Sequence, residues 1–216
     1  MKLTRAEVRS SPNRLQYYMK TEIEVKFLNV NFNELRDELT RLGAKLEQPM
    51  RLMRRVIIEP PGLSAKDAFM RIRDEGNKVT FTYKQFTDHT AFSGVKEIEV
   101  VVSSFDDTVA ILAAAGLSHK SFQESRRETW QLGNVEIVLD EWPWLHPYIE
   151  IEGTSEDDVM NAALLLGFEW SAAVFGSVTT AYQAQYPEGN ASQLVNIEKV
   201  AFGEPIPNII SGQKEE

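Results

Sequence analysis

In T-E-I-E-V-K, residues 21–26, the charged Glu22, Glu24 and Lys26 alternate with the aliphatic Ile23 and Val25. Period two is the period of a β-strand, so Glu22, Glu24 and Lys26 share one face and Ile23 and Val25 share the other. The pattern recurs in R-I-R (Arg71, Arg73), T-F-T-Y-K (Thr80, Thr82, Lys84), E-I-E (Glu97, Glu99) and E-I-E again (Glu150, Glu152). One such strand is ordinarily a half-buried antiparallel strand with its charges in water. Five together raise the question of which face looks inward.

The helices bear on that question. N-F-N-E-L-R-D-E-L-T-R-L-G-A is capped by Asn31, carries Phe32, Leu35, Leu39 and Leu42 on one stripe and stops at Gly43. F-D-D-T-V-A-I-L-A-A-A-G, capped by Ser103 or Ser104, and S-E-D-D-V-M-N-A-A-L-L-L-G, capped by Thr154 or Ser155, repeat the plan with acids in the first turn and Gly116 or Gly167 at the end. A fourth helix is predicted from about Ser177 to Gln185, ended by Pro187. Strands are predicted near 20–29, 51–59, 68–74, 78–86, 94–102, 122–132, 135–141 and 147–152, with D-E-G-N (74–77) and L-G-N (132–134) as hairpin turns. The apolar stripes need a floor, and the one on offer is the face made by Ile23, Val25, Ile72, Ile98, Val100, Ile149 and Ile151. If helices cover it and the sheet closes, the charged face becomes the inside of a barrel.

Composition limits what such a barrel can bind. The 216 residues carry 23 Lys and Arg against 32 Asp and Glu, a formal net charge of −9, which argues against nucleic acid and anionic membrane as partners. With no Cys, disulfides, thiolate metal sites and a cysteine nucleophile are excluded. M-K-L-T-R-A-E-V-R-S-S-P lacks the apolar core of a secretory signal, and no run approaches a membrane span, so a cytoplasmic protein is expected. Residues 1–19 read as an N-terminal extension, 20–185 as the barrel domain, and 186–216 as a loosely attached, irregular tail.

A lumen lined with both signs of charge must be wet or filled, because unpaired buried charge costs several kcal/mol per ion in effective terms. Arg and Lys suit a polyanion, the Arg forks binding phosphate oxygens two at a time. Carboxylates without His or Cys favour hard cations such as Mg²⁺ or Mn²⁺. No phosphate loop or dinucleotide fingerprint is present, so side chains must hold any phosphate. His89, His119 and His146 lack ligand spacing, and the four Trp residues read as packing, except that W-P-W (142–144) is placed as an aromatic wall at one mouth.

At this point E-I-E-V-K (22–26) resembles the E-x-E-x-K signature of the CYTH superfamily, the triphosphate tunnel metalloenzymes. The order that follows is similar too: F-M-R-I-R-D, T-F-T-Y-K-Q, V-K-E-I-E-V, R-R-E-T-W and V-L-D-E-W-P-W-L-H-P-Y-I-E-I-E, over roughly residues 20 to 185. The resemblance implies an α+β fold, a closed eight-stranded antiparallel β-barrel with helices outside. It also implies a triphosphate in the tunnel. In that pattern Glu22, Glu24, Glu150 and Glu152 ligate Mg²⁺ or Mn²⁺, and Lys26, Arg55, Arg71, Arg73, Lys84 and Arg127 grip the phosphates. A second metal near Glu97, Glu99 and Asp140 orients the nucleophile, making these three and Lys26 the catalytic candidates. Ser125 departs from the family's Lys-x-Arg strand, and Trp142 stands where some triphosphatases place Lys.

Three activities follow from the resemblance: a metal-dependent triphosphatase, a class IV adenylate cyclase, and a noncatalytic polyphosphate or nucleotide sensor. L-Q-Y-Y-M-K (15–20) lacks the His-Phe pair of characterised cyclases, which favours hydrolysis, and the full set of acids argues against the sensor. The expected partner is a small molecule containing a triphosphate, with a homodimer left open.

Overall fold

The computed structural model describes residues 19–88 and 94–213; His89 and the N-terminal extension before residue 19 lie outside the described residues. In chain order the elements are β1 (Lys20–Leu28), α1 (Phe32–Arg41), β2 (Lys45–Ile58), β3 (Ala68–Asp74), β4 (Val79–Phe86), β5 (Val95–Val102), α2 (Phe105–Ala114), β6 (Ser121–Leu132), β7 (Val135–Glu141), β8 (Tyr148–Gly153), α3 (Glu156–Leu165), α4 (Val178–Gln185), β9 (Lys199–Val200) and α5 (Asn208–Ser211). The strands follow the order β2-β3-β4-β5-β1-β8-β7-β6, and β6 pairs back onto β2, closing an eight-stranded antiparallel barrel. No helix among the described residues is long and apolar enough to cross a membrane.

Local chemistry places the helices as the caps foretell. Asn31, Ser104 and Ser155 each accept a hydrogen bond from a first-turn backbone N–H. Helices α1 and α3 bury Phe32, Leu35, Leu39, Val159, Ala162 and Ala163 against the outer faces of β1, β7 and β8, where Val25, Ile137, Ile149 and Ile151 are fully buried. Helix α2 sets Phe105 on Val56, Ile58 and Ile72 of β2 and β3. The expected floor is therefore only partly covered: Val100 on β5 remains 51% exposed. The three ten-residue helices pack on β1, β7 and β8 and on β2 and β3, and Val100 of β5 is not among the residues they bury.

Two readings need correction. Strand β2 begins at Lys45, six residues before the predicted start, because the irregular pairing with β6 around Gln48 absorbs Pro49, which cannot donate to a ladder. The segment after Tyr186 is not loosely attached. Its Leu194, Val200 and Ile210 are buried together with Trp142, Tyr148 and Tyr182. β9 runs parallel to β6 beside Phe122 and Gln123, where β7, which pairs with β6 only from Arg126 onward, no longer reaches. Gly189 permits the closest approach, since a Cβ there would lie 1.8 Å from the Ile210 carbonyl oxygen.

If the C-terminal segment is integral, Ile210→Ala should lower unfolding free energy by about 2–4 kcal/mol, the cost of emptying a buried aliphatic site. Denaturant titration measures this; a loss below about 0.5 kcal/mol, the size of a surface effect, would mean the segment packs weakly.

Candidate functional site

Alternation in every strand directs the polar positions inward, and they line a cavity of about 580 Å³, within the usual range for small-molecule sites. All the residues named from the sequence line it: Glu22, Glu24 and Lys26 on β1, Arg55 on β2, Arg71 and Arg73 on β3, Lys84 on β4, Glu97 and Glu99 on β5, Arg127 on β6, Asp140 on β7, and Glu150 and Glu152 on β8. The strand order sets them against one another. β1 lies four strands from β2 and β8 four strands from β3, so Glu22, Glu24, Glu150 and Glu152 stand opposite Arg55, Arg71 and Arg73. The lumen has an acidic wall and a basic wall.

Register brings the acids side by side. Glu24 pairs with Glu152, and Lys26 with Glu150. The Lys26 ammonium, 1% exposed, donates to Glu24 at 2.7 Å and to the Gly176 carbonyl at 2.7 Å, and lies 3.3 Å from Glu150. Burial alone would lower its pKa, but Glu24 and Glu150 more than offset this and raise it. For Glu150, burial acts upward and is outweighed by Lys26 and Arg127, which hold the carboxyl low. Glu24 is pushed up by burial, against the pull of Lys26 and with the repulsion of Glu150 and Glu22.

Across β4 and β5, Lys84 donates to Glu22 at 2.7 Å and lies 3.5 Å from Glu97. Glu97 is pushed up to about 7, chiefly by burial, with Glu22 adding repulsion and a hydrogen bond. On β6 and β7, Arg127 Nε donates to Asp140 at 2.6 Å and Nη2 to Glu150 at 2.8 Å. Asp140 is fully buried, and both of its oxygens engage Arg127. Of the adjacent arginines, Arg127 faces the lumen while Arg126 points outward to Glu141 at 3.2 Å.

The basic wall is less neutralised. Arg73 is paired with Glu75 at 2.5 Å, and Arg71 lies 3.7 Å from Glu99. Arg71 is lowered to about 10 by burial and by Arg73 beside it. Arg55 forms no ion pair among the described residues. Its Nη2 donates to Ser125 at 2.5 Å, its guanidinium carbon lies 4.4 Å over the Trp142 ring, and burial with Arg71, Arg73 and Arg127 drives its pKa well down. The buried Nε atoms of Arg55 and Arg71 lack any hydrogen-bond partner. A buried donor without an acceptor is costly, and each of these belongs to a cation.

Sequence reasoning passed over several lining groups. Arg51 and Glu136 were legible, being in phase with Arg55 and Asp140 on their strands. Glu75, 5% exposed, had no signal because it sits within a polar turn. Leu194 and Val195 belong to a short helical turn with no periodicity to read. Of the W-P-W pair only Trp142 lines the cavity; Trp144 donates to the Glu204 carbonyl at 2.6 Å.

Fold and lumen together define an antiparallel tunnel with charged inner walls. The chain belongs to the CYTH domain family, whose model matches residues 20–165. Among solved structures it is similar to the PH1012 protein of Pyrococcus horikoshii, with 25% identity and a TM-score of 0.59 over 70% of this chain and 93% of that one. The PH1819 protein of the same organism gives 25% identity and a TM-score of 0.55 over 68% and 91%. A candidate adenylate cyclase from Vibrio parahaemolyticus gives 10% identity and 0.64 over 73% and 95%, which speaks to fold alone. No curated protein matches the chain.

The raised Glu97 gives the protein a pH signature. Between about 4.5 and 7 the folded protein holds a proton on Glu97 that the unfolded chain has released, so stability falls as pH rises through that window. The slope from this group is at most about 1.4 kcal/mol per pH unit. Denaturant titrations from pH 5 to 7.5 in chelator should show the slope reduced in Glu97→Gln; an unchanged slope would place the proton elsewhere.

Proposed function

We propose that the protein is a metal-dependent phosphohydrolase acting on inorganic or organic triphosphates held in the lumen. The observation that carries this reading is the opposition of the two walls, with Arg55 and Arg71 on the basic side buried and under-neutralised. A polyphosphate chain supplies acceptors for those donors, and Arg55, Arg71, Arg73, Lys84 and Arg127 are its grips.

The acidic wall suits a hard cation. Glu24 is raised first by burial and then by Glu150 and Glu22 beside it, beyond what Lys26 offsets, so further positive charge is favoured there. Among the described residues no three such side chains already form a metal-ready group, since Lys26 and Lys84 draw the acids to themselves. Glu22, Glu24, Glu150 and Glu152 would hold Mg²⁺ or Mn²⁺, an all-oxygen donor set appropriate to either. When bound, that ion supplies charge neutralisation at the phosphate oxygens and acidifies water.

The chain's own groups complete the reaction. Lys26 fixes Glu24 and Glu150 relative to each other, and Asp140 fixes the Arg127 fork so that its charge meets the phosphate in one orientation. Glu97, with a pKa near neutrality, can take the proton of an attacking water, and Glu99 lies beside it on the same face. Transfer of the phosphoryl group then proceeds by positioning and charge stabilisation, with no covalent nucleophile required.

The test is to incubate the protein with tripolyphosphate, thiamine triphosphate or ATP, each with Mg²⁺ or Mn²⁺, and identify the products. Orthophosphate release that requires the metal is expected, and Glu24→Gln should abolish it with the fold intact by circular dichroism. Cyclic AMP from ATP without orthophosphate would replace hydrolysis by cyclisation. Tight triphosphate binding with no turnover of any substrate would make the protein a sensor.

A further inference from the structure

The basic wall is not uniform along the channel. Arg55 and Arg71 leave their Nε atoms unbonded, whereas Arg73, the next inward position on β3, turns both Nε and Nη2 to one oxygen of Glu75, at 2.9 and 2.5 Å. The other oxygen of Glu75 lies 3.7 Å from the Lys78 ammonium and 3.8 Å from Arg51. All four side chains line the lumen. One carboxylate thus stands among three cations where the wall reaches the β3–β4 turn.

The turn is built to hold it there. Glu75 N–H donates to the Lys78 carbonyl at 2.9 Å, Gly76 takes the positive φ of +85° and donates to Asp74 at 2.9 Å, and Arg51 Nε reaches across from β2 to the Glu75 carbonyl at 3.1 Å. Asp74 pairs with Arg54, whose guanidinium lies over Phe105 of α2 on the outside of the barrel. Glu75, the next residue, points the other way and is 5% exposed. Burial acts upward on its carboxyl and is outweighed by Arg73 and Lys78, which hold it low.

Building on the triphosphate reading above, we propose that Glu75 is a specificity-determining residue: an internal anion that ends the phosphate-binding track at Arg73 and makes the lumen selective for short polyphosphates. At Arg55 and Arg71 a phosphate chain finds buried donors that lack acceptors. At Arg73 it meets a guanidinium whose fork is already engaged, and beyond it Arg51 and Lys78, whose charge Glu75 shares. Further phosphoryl groups must displace Glu75 or lie beside its negative charge, and they gain little affinity either way. Discrimination by a placed repulsive group needs no contact with the preferred ligand.

Equilibrium titration of the full-length protein tests this with tripolyphosphate and linear hexapolyphosphate, at fixed Mg²⁺ and ionic strength and at low temperature, completed before measurable phosphate release. The ratio of the two association constants, hexapolyphosphate over tripolyphosphate, should rise at least about tenfold in Glu75→Gln, the scale of one cationic contact regained. Comparing ratios cancels the extra registers open to the longer chain. An unchanged ratio, or weaker binding of hexapolyphosphate than in the native protein, overturns the inference; the second result makes Glu75 a support for Arg73. Lys78→Gln, at a partly exposed position, supplies a test that leaves Glu75 in place. Its ratio should stay within about threefold of the native one, and a tenfold fall would show that the chain reaches past Glu75. Failure of tripolyphosphate to bind the native protein removes the triphosphate reading and this inference with it, whereas every other outcome leaves that reading standing.

Discussion

Lys26 is the residue on which the acidic half of the lumen depends. It is buried, and its ammonium joins Glu24 on its own strand to Glu150 on the neighbouring one while donating to the Gly176 carbonyl. Without it, two carboxylates in adjacent strands would face each other in a low-dielectric interior, an arrangement that costs several kcal/mol. The clamp exists because the outer face of the barrel is already taken: α1 and α3 cover the apolar side of β1, β7 and β8, and the pleat leaves the other side of those strands nowhere to look but inward. Apolar packing outside and ion pairing inside are two results of one alternation.

That alternation is why so much could be read from residues alone. T-E-I-E-V-K, R-I-R, T-F-T-Y-K and both E-I-E runs place their charged positions in the lumen because period two admits only two registers, and the helices' stripes decide between them. The closed barrel and the gathering of the named charges around one cavity follow. Val100 departs from that pattern, because an apolar outer position is covered only where a helix reaches it, and this one stays exposed. Contacts made without a period leave no such trace in the sequence. Glu75 holds Arg73 from a turn, and Leu194, Val200 and Ile210 are single apolar residues in a polar background whose burial depends on where the chain returns, which no local pattern encodes.

The Ser125 departure acquires a physical meaning in the structure. Where the family pattern has Lys on this strand, the small hydroxyl accepts from the Arg55 guanidinium, and β6 carries one cation fewer at that level. A lysine ammonium there would face Arg55 at close range, in a setting already crowded by Arg71, Arg73 and Arg127. The same small side chain leaves Arg55 free to lie over Trp142, which occupies the position of a lysine in some triphosphatases. Two departures from the pattern thus act on one guanidinium, exchanging point charges for a planar fork against an aromatic face.

The two walls also bear on how a metal and a polyanion would enter. On the acidic side, Glu24 and Glu97 are raised because like charges and burial exceed what Lys26 and Lys84 offset. On the basic side, Arg55 and Arg71 are lowered for the mirror reason. A divalent cation alone relieves the first crowding and worsens the second by adding positive potential to the lumen. A polyphosphate alone relieves the second and worsens the first. Bound together they neutralise both, and each screens the other from the wall that repels it, so the affinity of either must rise in the presence of the other by the same factor. Cooperativity of this kind needs no movement of the barrel, because it is already present in the placement of opposite charges on strands four apart.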